Sequence, residues 1–178
     1  MTNRSVIAGF GGQGVMMIGK LLCYASLDHG KHALFLPSYG TEQRGGTANC
    51  TIILSDEEVG SPMTAHIDTL IAMNEPSLKK FQNMVKPGGT VYINSSLIRA
   101  EDVREDVNCT AVPVDDIAHE LGSTKVANII MLSAYAAGTG LFTKEEVTET
   151  VLHKLASKPQ FLELNRKAIE AGFENGRK

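Results

Sequence analysis

Cysteine is scarce in this sequence. Cys23, Cys50 and Cys109 stand far apart and form no C-x-x-C pair, so local spacing builds neither a zinc site nor an iron–sulfur cluster. Their odd number also speaks against a disulfide framework and points to a reducing cytoplasm. Basic charge is short as well: 17 Lys and Arg against 20 Asp and Glu leave a net charge of −3. A nucleic-acid binder needs a dense Lys/Arg face to release counterions, so no nucleic-acid partner is expected. No secretory leader is visible, because the first apolar run is only Val6-Ile7-Ala8 before Gly9. The uncharged stretch 126–143 approaches a membrane span in length, but it carries Asn128, Ser133, Gly138, Thr139 and Gly140. It reads as a helix buried against protein, and no membrane contact is expected.

Several catalytic signatures are missing too. There is no G-x-x-x-x-G-K-[ST] phosphate loop and no G-x-S-x-G nucleophile elbow. His29, His32, His66, His119 and His153 are scattered, and none pairs with a carboxylate or another histidine at ligand spacing. Metal ligands are therefore not expected.

Glycine, in contrast, is abundant. Seventeen glycines in 178 residues exceed the usual ~7%, and they cluster. With 43% hydrophobic residues the chain has material for one packed domain. Ser5-Val6-Ile7-Ala8 reads as a buried strand, and Val15, Ile18, Leu22 and Ala25 recur at helical spacing before Gly30. Residues 32–36 read as a second strand, stopped by Pro37. Strand, glycine turn, helix and strand make a βαβ unit, whose crossover makes a parallel sheet the default. Further strands are expected at 47–54, 69–73, 90–93 and 110–114. A helix is expected at 76–85, Lys86-Pro87-Gly88-Gly89 as a loop, and helices from Asp115 onward. Thr143 with Glu146 three residues on marks one helix start, and Lys158-Pro159 marks a break. The pattern predicts a single three-layer α/β/α, Rossmann-like domain over 1–178, with a mostly parallel, mixed sheet. Residues 143–178 form a helical C-terminal appendix.

Gly9-Phe10-Gly11-Gly12-Gln13-Gly14 fits G-x-G-x-x-G between strand and helix. Such glycines allow backbone N–H groups to approach an anion at a helix amino end. They also serve tight turns and close helix–strand packing. A dinucleotide site wants Asp or Glu at the end of the second strand, whereas this one ends Leu34-Phe35-Leu36-Pro37. A second cluster, Ser38-Tyr39-Gly40-Thr41-Glu42-Gln43-Arg44-Gly45-Gly46-Thr47, is placed at the carboxyl edge beside the first. Its hydroxyls, Glu42 and Arg44 suit a recognition loop, with Arg44 able to hold a phosphate or carboxylate. The plain alternative is a solvated charged loop. Asn74, after the strand at 69–73, either meets a ligand or caps the next helix. The segment 125–137 is apolar nearly all round, so it is covered on several faces by its own chain or by a partner.

Four segments together resemble one family. Residues 9–15, 37–49, Ser61-Pro62 and 70–74, in this order and spacing, are similar to the gamma subunit of 2-oxoacid:ferredoxin oxidoreductases. The resemblance covers roughly 4–140, and 125–131 is similar to the family's late helix. The form of residues 38–49 looks more like the 2-oxoglutarate branch than the pyruvate branch. The resemblance implies CoA-dependent oxidative decarboxylation of a 2-oxo acid to acyl-CoA and CO2. Thiamine diphosphate and iron–sulfur clusters then belong to partners: alpha and beta subunits and a ferredoxin-like subunit. This chain alone is expected to bind no cofactor and to hold no catalytic residue. Gly11, Gly12, Gln13, Gly14, Ser38, Tyr39, Glu42, Arg44, Gly45, Gly46 and Asn74 are the expected contacts to CoA or to partner backbone. Two other readings stay open: a stand-alone dinucleotide-binding oxidoreductase and a homo-oligomeric binding module.

Overall fold

The computed structural model describes residues 1–39, 46–61 and 65–177. Strand β1 (Thr2–Phe10) leads through the glycine turn into α1 (Val15–Asp28) and β2 (His32–Tyr39). Then follow β3 (Thr47–Ser55), β4 (Ile67–Ala72), α2 (Glu75–Phe81), β5 (Val85–Asn94) and β6 (Asn108–Val112). The rest is helical: α3 (Val114–Glu120), α4 (Ala127–Thr139), α5 (Lys144–Lys154) and α6 (Leu162–Asn175).

The six strands form one sheet in the order β2-β3-β1-β4-β5-β6. Strand β3 runs antiparallel to both neighbours, and the remaining pairs are parallel. The sheet is therefore mixed, as expected. Strands β1 and β2 do run parallel, yet β3 is inserted between them, so they are not hydrogen-bonded to each other. The polar segment after β2 returns the chain as a hairpin instead of a crossover.

Two boundaries are also corrected. Strand β2 continues through Pro37, which stands opposite Cys50. It is an outer strand, where a residue without an N–H is tolerated. Lys86-Pro87-Gly88-Gly89 belongs to β5, as an irregularity between the pairs Ile67–Val85 and Thr69–Thr90. The helix expected to reach residue 85 ends at Phe81 and is followed by a short 3-10 turn.

One face of the sheet is covered by α1 and the C-terminal helices, which share a core with Ile7, Cys50, Ile52, Ile71 and Val112. The other face holds Val6, Ala8, Leu70, Val91 and Ile93 beneath Leu78 of α2. The helical segment after residue 143 is integral to the first core, through Val147, Val151, Ala168, Ile169 and Phe173. Helix α4 is buried along nearly its whole length. Its cover comes from the same chain, chiefly α6, so no partner is needed to bury it. Gly172 permits this: a β-carbon there would collide with the backbone of Ile130 and with Ser133. Tyr135 anchors α4 to β1 by hydrogen bonds with Ser5 (2.9 Å) and Asn3 (3.0 Å). Among the described residues no helix is long and apolar enough to cross a membrane.

Candidate functional site

The carboxyl ends of β1, β2, β4, β5 and β6 share one edge of the sheet with the amino end of β3. From β1 the chain winds to β2 and β3 on one side and later reaches β4 on the other. The switch point thus falls between β1 and β4, where open α/β sheets receive ligands. The glycine turn stands at that point.

Gln13 fills the crevice. Its Oε1 accepts from the Phe10 backbone N–H at 2.7 Å and from Asn74 Nδ2 at 2.9 Å. Its Nε2 donates to the Met73 carbonyl at 3.1 Å. One side chain thereby ties the end of β1 to the end of β4. Asn74 is only 2% exposed, and its Oδ1 accepts the Ser77 N–H at 2.9 Å to cap α2. Both ends of the Asn74 amide are engaged within the protein. Asn94 extends the network to the next strand, donating to Met73 O (3.2 Å) and to Asp115 (2.8 Å).

The turn itself needs its glycines. Gly12 and Gly14 have φ of 98° and 74°, the left-handed region that other residues rarely enter. A β-carbon on Gly14 would also lie within 2.8 Å of the Asn128 side chain. Turn geometry and close packing against α4 thus act together in this motif.

Helix α1 starts at Gly14 with no side-chain cap and no acidic residue in its first turn. Helix α4 follows a 3-10 turn at 124–126 that Ser123 caps, and its Ile129 N–H donates to Asn128 Oδ1 at 3.0 Å. Helices α2, α3 and α5 instead carry Glu75, Asp115 and Asp116, and Glu145 and Glu146 there. A cavity of about 330 Å³ is lined by Gly12, Gln13, Gly14, Asp115, Lys125 and Asn128, among others. The uncapped amino end of α1 and the Lys125 ammonium therefore meet at one space, an arrangement suited to an anion. The carboxylate of Asp115 is turned to Asn94. Lys125 also lies 5.5 Å over the Phe161 ring, at the border of a smaller, mainly apolar cavity of about 170 Å³.

The hairpin cluster is only partly in view. Ser38 and Tyr39 end β2, and Tyr39 is 70% exposed. Gly46 accepts the Gly11 N–H through its carbonyl at 3.0 Å, which ties the hairpin to the glycine turn. Glu42, Arg44 and Gly45 lie outside the described residues. The structure thus brings Gly11, Gly12, Gln13, Gly14, Gly46 and Asn74 together, with Ser38 and Tyr39 on the same edge two strands away. Sequence reasoning took Lys125 and Asn128 only as parts of an apolar helix and passed over Asp115. Ser123 offered a signal: its side chain accepts the Lys125 N–H, marking a helix start and Lys125 as amino-terminal. Among the described residues no group of three His, Cys, Asp or Glu side chains is placed to hold a metal ion.

Fold and site define an α/β module whose glycine turn and Lys125 share one cavity, with no nucleophile–base pair beside them among the described residues. Residues 4–175 match the family described as pyruvate ferredoxin/flavodoxin oxidoreductase, and the chain belongs to it. The chain is 38% identical over 172 residues to the ketoisovalerate oxidoreductase subunit VorA of Methanothermobacter thermautotrophicus. That match covers 96% of this chain and only 36% of the relative's length. The 2-oxoglutarate synthase subunit KorC of Methanothermobacter marburgensis is 33% identical, with 94% of this chain and 93% of the relative covered. Among solved structures, the keto/oxoacid ferredoxin oxidoreductase gamma subunit of Geobacter sulfurreducens superposes with a TM-score of 0.83. It is 31% identical, and 98% of each chain is covered.

Proposed function

We propose that this chain is a non-catalytic gamma subunit of a 2-oxoacid:ferredoxin oxidoreductase, and that its glycine-turn edge contacts the phosphates of CoA. The convergence of α1, α4 and Lys125 on one cavity is the observation that carries the second half of this reading. Gly12 and Gly14 admit close backbone approach, and Lys125 supplies the charge. Tyr39, with Glu42 and Arg44 from the same sequence cluster, is the proposed polar contact to the partners or to CoA. Thiamine diphosphate and iron–sulfur clusters reside in the alpha and beta subunits and a ferredoxin-like subunit. The three free cysteines suit a reducing cytoplasm. The names of the two relatives above divide between ketoisovalerate and 2-oxoglutarate, while the form of residues 38–49 favours 2-oxoglutarate. 2-Oxoglutarate is accordingly the first substrate to test, and 2-ketoisovalerate the second.

A stand-alone dinucleotide site has less support. Strand β3 separates β1 from β2, no acidic residue ends β2, and Gln13 occupies the crevice. A homo-oligomeric module built on α4 loses its motive once α6 covers that helix. Co-expression with the thiamine-binding subunits tests the proposal. The expected result is a stable assembly that reduces ferredoxin with CoA and a 2-oxo acid. A chain that never enters a thiamine-dependent assembly, or that alone binds NAD at micromolar concentration, overturns it.

A further inference from the structure

The smaller cavity, about 170 Å³, adjoins the one beside the glycine turn and shares Lys125 and Asn128 with it. Its outer wall comes from the break between α5 and α6. Pro159 opens a short 3-10 turn there, and that turn delivers Phe161 to the cavity just before α6 begins. The Phe161 ring, Met17, Val126, Ile129 and Leu155 make the walls mainly apolar. A cavity of about 150 Å³ walled by Leu, Ile and Phe holds a benzene ring, so this one has room for a flat ring system. Asn165 lines the same space although it is only 4% exposed, and its side-chain amide makes no hydrogen bond among the described residues. Such an amide offers the donor and acceptor pair that matches the edge of adenine.

Charge and continuity decide the occupant. Lys125 and Lys158 line the cavity, and among the described residues no carboxylate does. Lys158 makes no ion pair among the described residues. The neighbouring cavity is the one assigned above to the phosphates of CoA. CoA carries adenine at one end of its diphosphate and a thiol-bearing arm at the other. The thiol has to reach the reacting carbon, which on that reading belongs to the thiamine-binding partners, so the arm leaves this chain. The adenine end is free to stay, beside the phosphates and next to Lys125.

We propose that this cavity takes the adenine ring of CoA, packed on the Phe161 ring with the Asn165 amide at its edge, and that Lys158 meets the separate phosphate on the CoA ribose. The site rests on the CoA reading above and adds the end of the ligand that this chain keeps. Titrating the full chain separately with adenosine, pantothenate and inorganic pyrophosphate at constant ionic strength tests it by amide chemical shifts. Saturable shifts are expected with adenosine at Ile129, Phe161 and Asn165, and with pyrophosphate at Gly12 and Gly14. Pantothenate, from the other end of CoA, is expected to leave the cavity amides unmoved. Phe161→Leu keeps apolar bulk in the turn and removes the ring, and is expected to weaken adenosine severalfold while leaving pyrophosphate unchanged. Lys158→Ala, an exposed change, is expected to weaken CoA severalfold and dephospho-CoA not at all. Adenosine that moves no amide of the cavity, pantothenate that saturates them in its place, or Phe161→Leu that binds adenosine as before overturns the adenine site, and equal loss of CoA and dephospho-CoA in Lys158→Ala overturns the part given to Lys158. Pyrophosphate without effect at Gly12 and Gly14 overturns the phosphate reading instead, and the adenosine shifts then judge the adenine site on their own.

Discussion

The amino ends of α1 and α5 are built on opposite plans. Helix α5 closes on itself: Thr143 accepts the Glu146 N–H at 3.2 Å, and Glu146 accepts the Thr143 N–H at 2.8 Å. Its donors are satisfied by its own side chains, and Glu145 adds negative charge at the positive end of the helix. Helix α1 has none of this. A glycine opens it, its first turn is uncharged, and the nearest polar side chain, Gln13, is turned to Phe10, Met73 and Asn74. The difference teaches where to look for function: α5 needs nothing from outside, while α1 leaves its donors for something else.

The comparison can be broken most severely at Gly14. Replacement by Ala places a β-carbon in left-handed backbone and against Asn128. Strain and overpacking together are expected to cost about 2–4 kcal/mol in denaturant unfolding. A loss below about 0.5 kcal/mol would mean that the α1–α4 approach is loose. Next comes Gln13→Ala, which strands the Phe10 N–H and the Asn74 amide. It is expected to cost about 1–3 kcal/mol and to speed amide exchange at Phe10. Thr143→Ala, on the self-satisfied helix, is expected to cost about 1 kcal/mol and to leave CoA use unchanged.

A smaller effect, confined to alkaline pH, concerns the core under α1. Burial pushes the Cys23 and Cys50 thiols up to about 12, from an ordinary value of 9.0. The folded chain therefore holds protons that the unfolded chain releases between those values. Its stability is expected to fall as pH rises through that window and to be indifferent to these thiols below it. A thiol reagent at pH 8 should label the exposed Cys109 in the native chain and all three cysteines once denaturant is added.

Local signals in the sequence were read well, because their physics is local. The Thr143 capping box, the Asn74 cap, the left-handed Gly30 after α1 and the glycine turn all act over a few residues. Relations between distant segments were not legible. Nothing near Thr47 states that β3 will enter between β1 and β2, because that choice is made by pairing across the whole sheet. Pro37 reads as a strand end unless its strand is known to lie at the edge. Lys125 stands more than a hundred residues from Gly14 and meets it only because α4 packs on α1. The cover on α4 was equally hidden, since Gly172 announces a close helix crossing only when its partner is seen.

The central claim is that the bare amino end of α1, with Lys125, holds the phosphates of CoA. Its most direct test is the KM for CoA of the assembled enzyme carrying Lys125→Ala. The account expects that KM to rise about tenfold, the loss of one charge-assisted contact, with the KM for the 2-oxo acid and the thermal stability unchanged. An unaltered KM for CoA would contradict it.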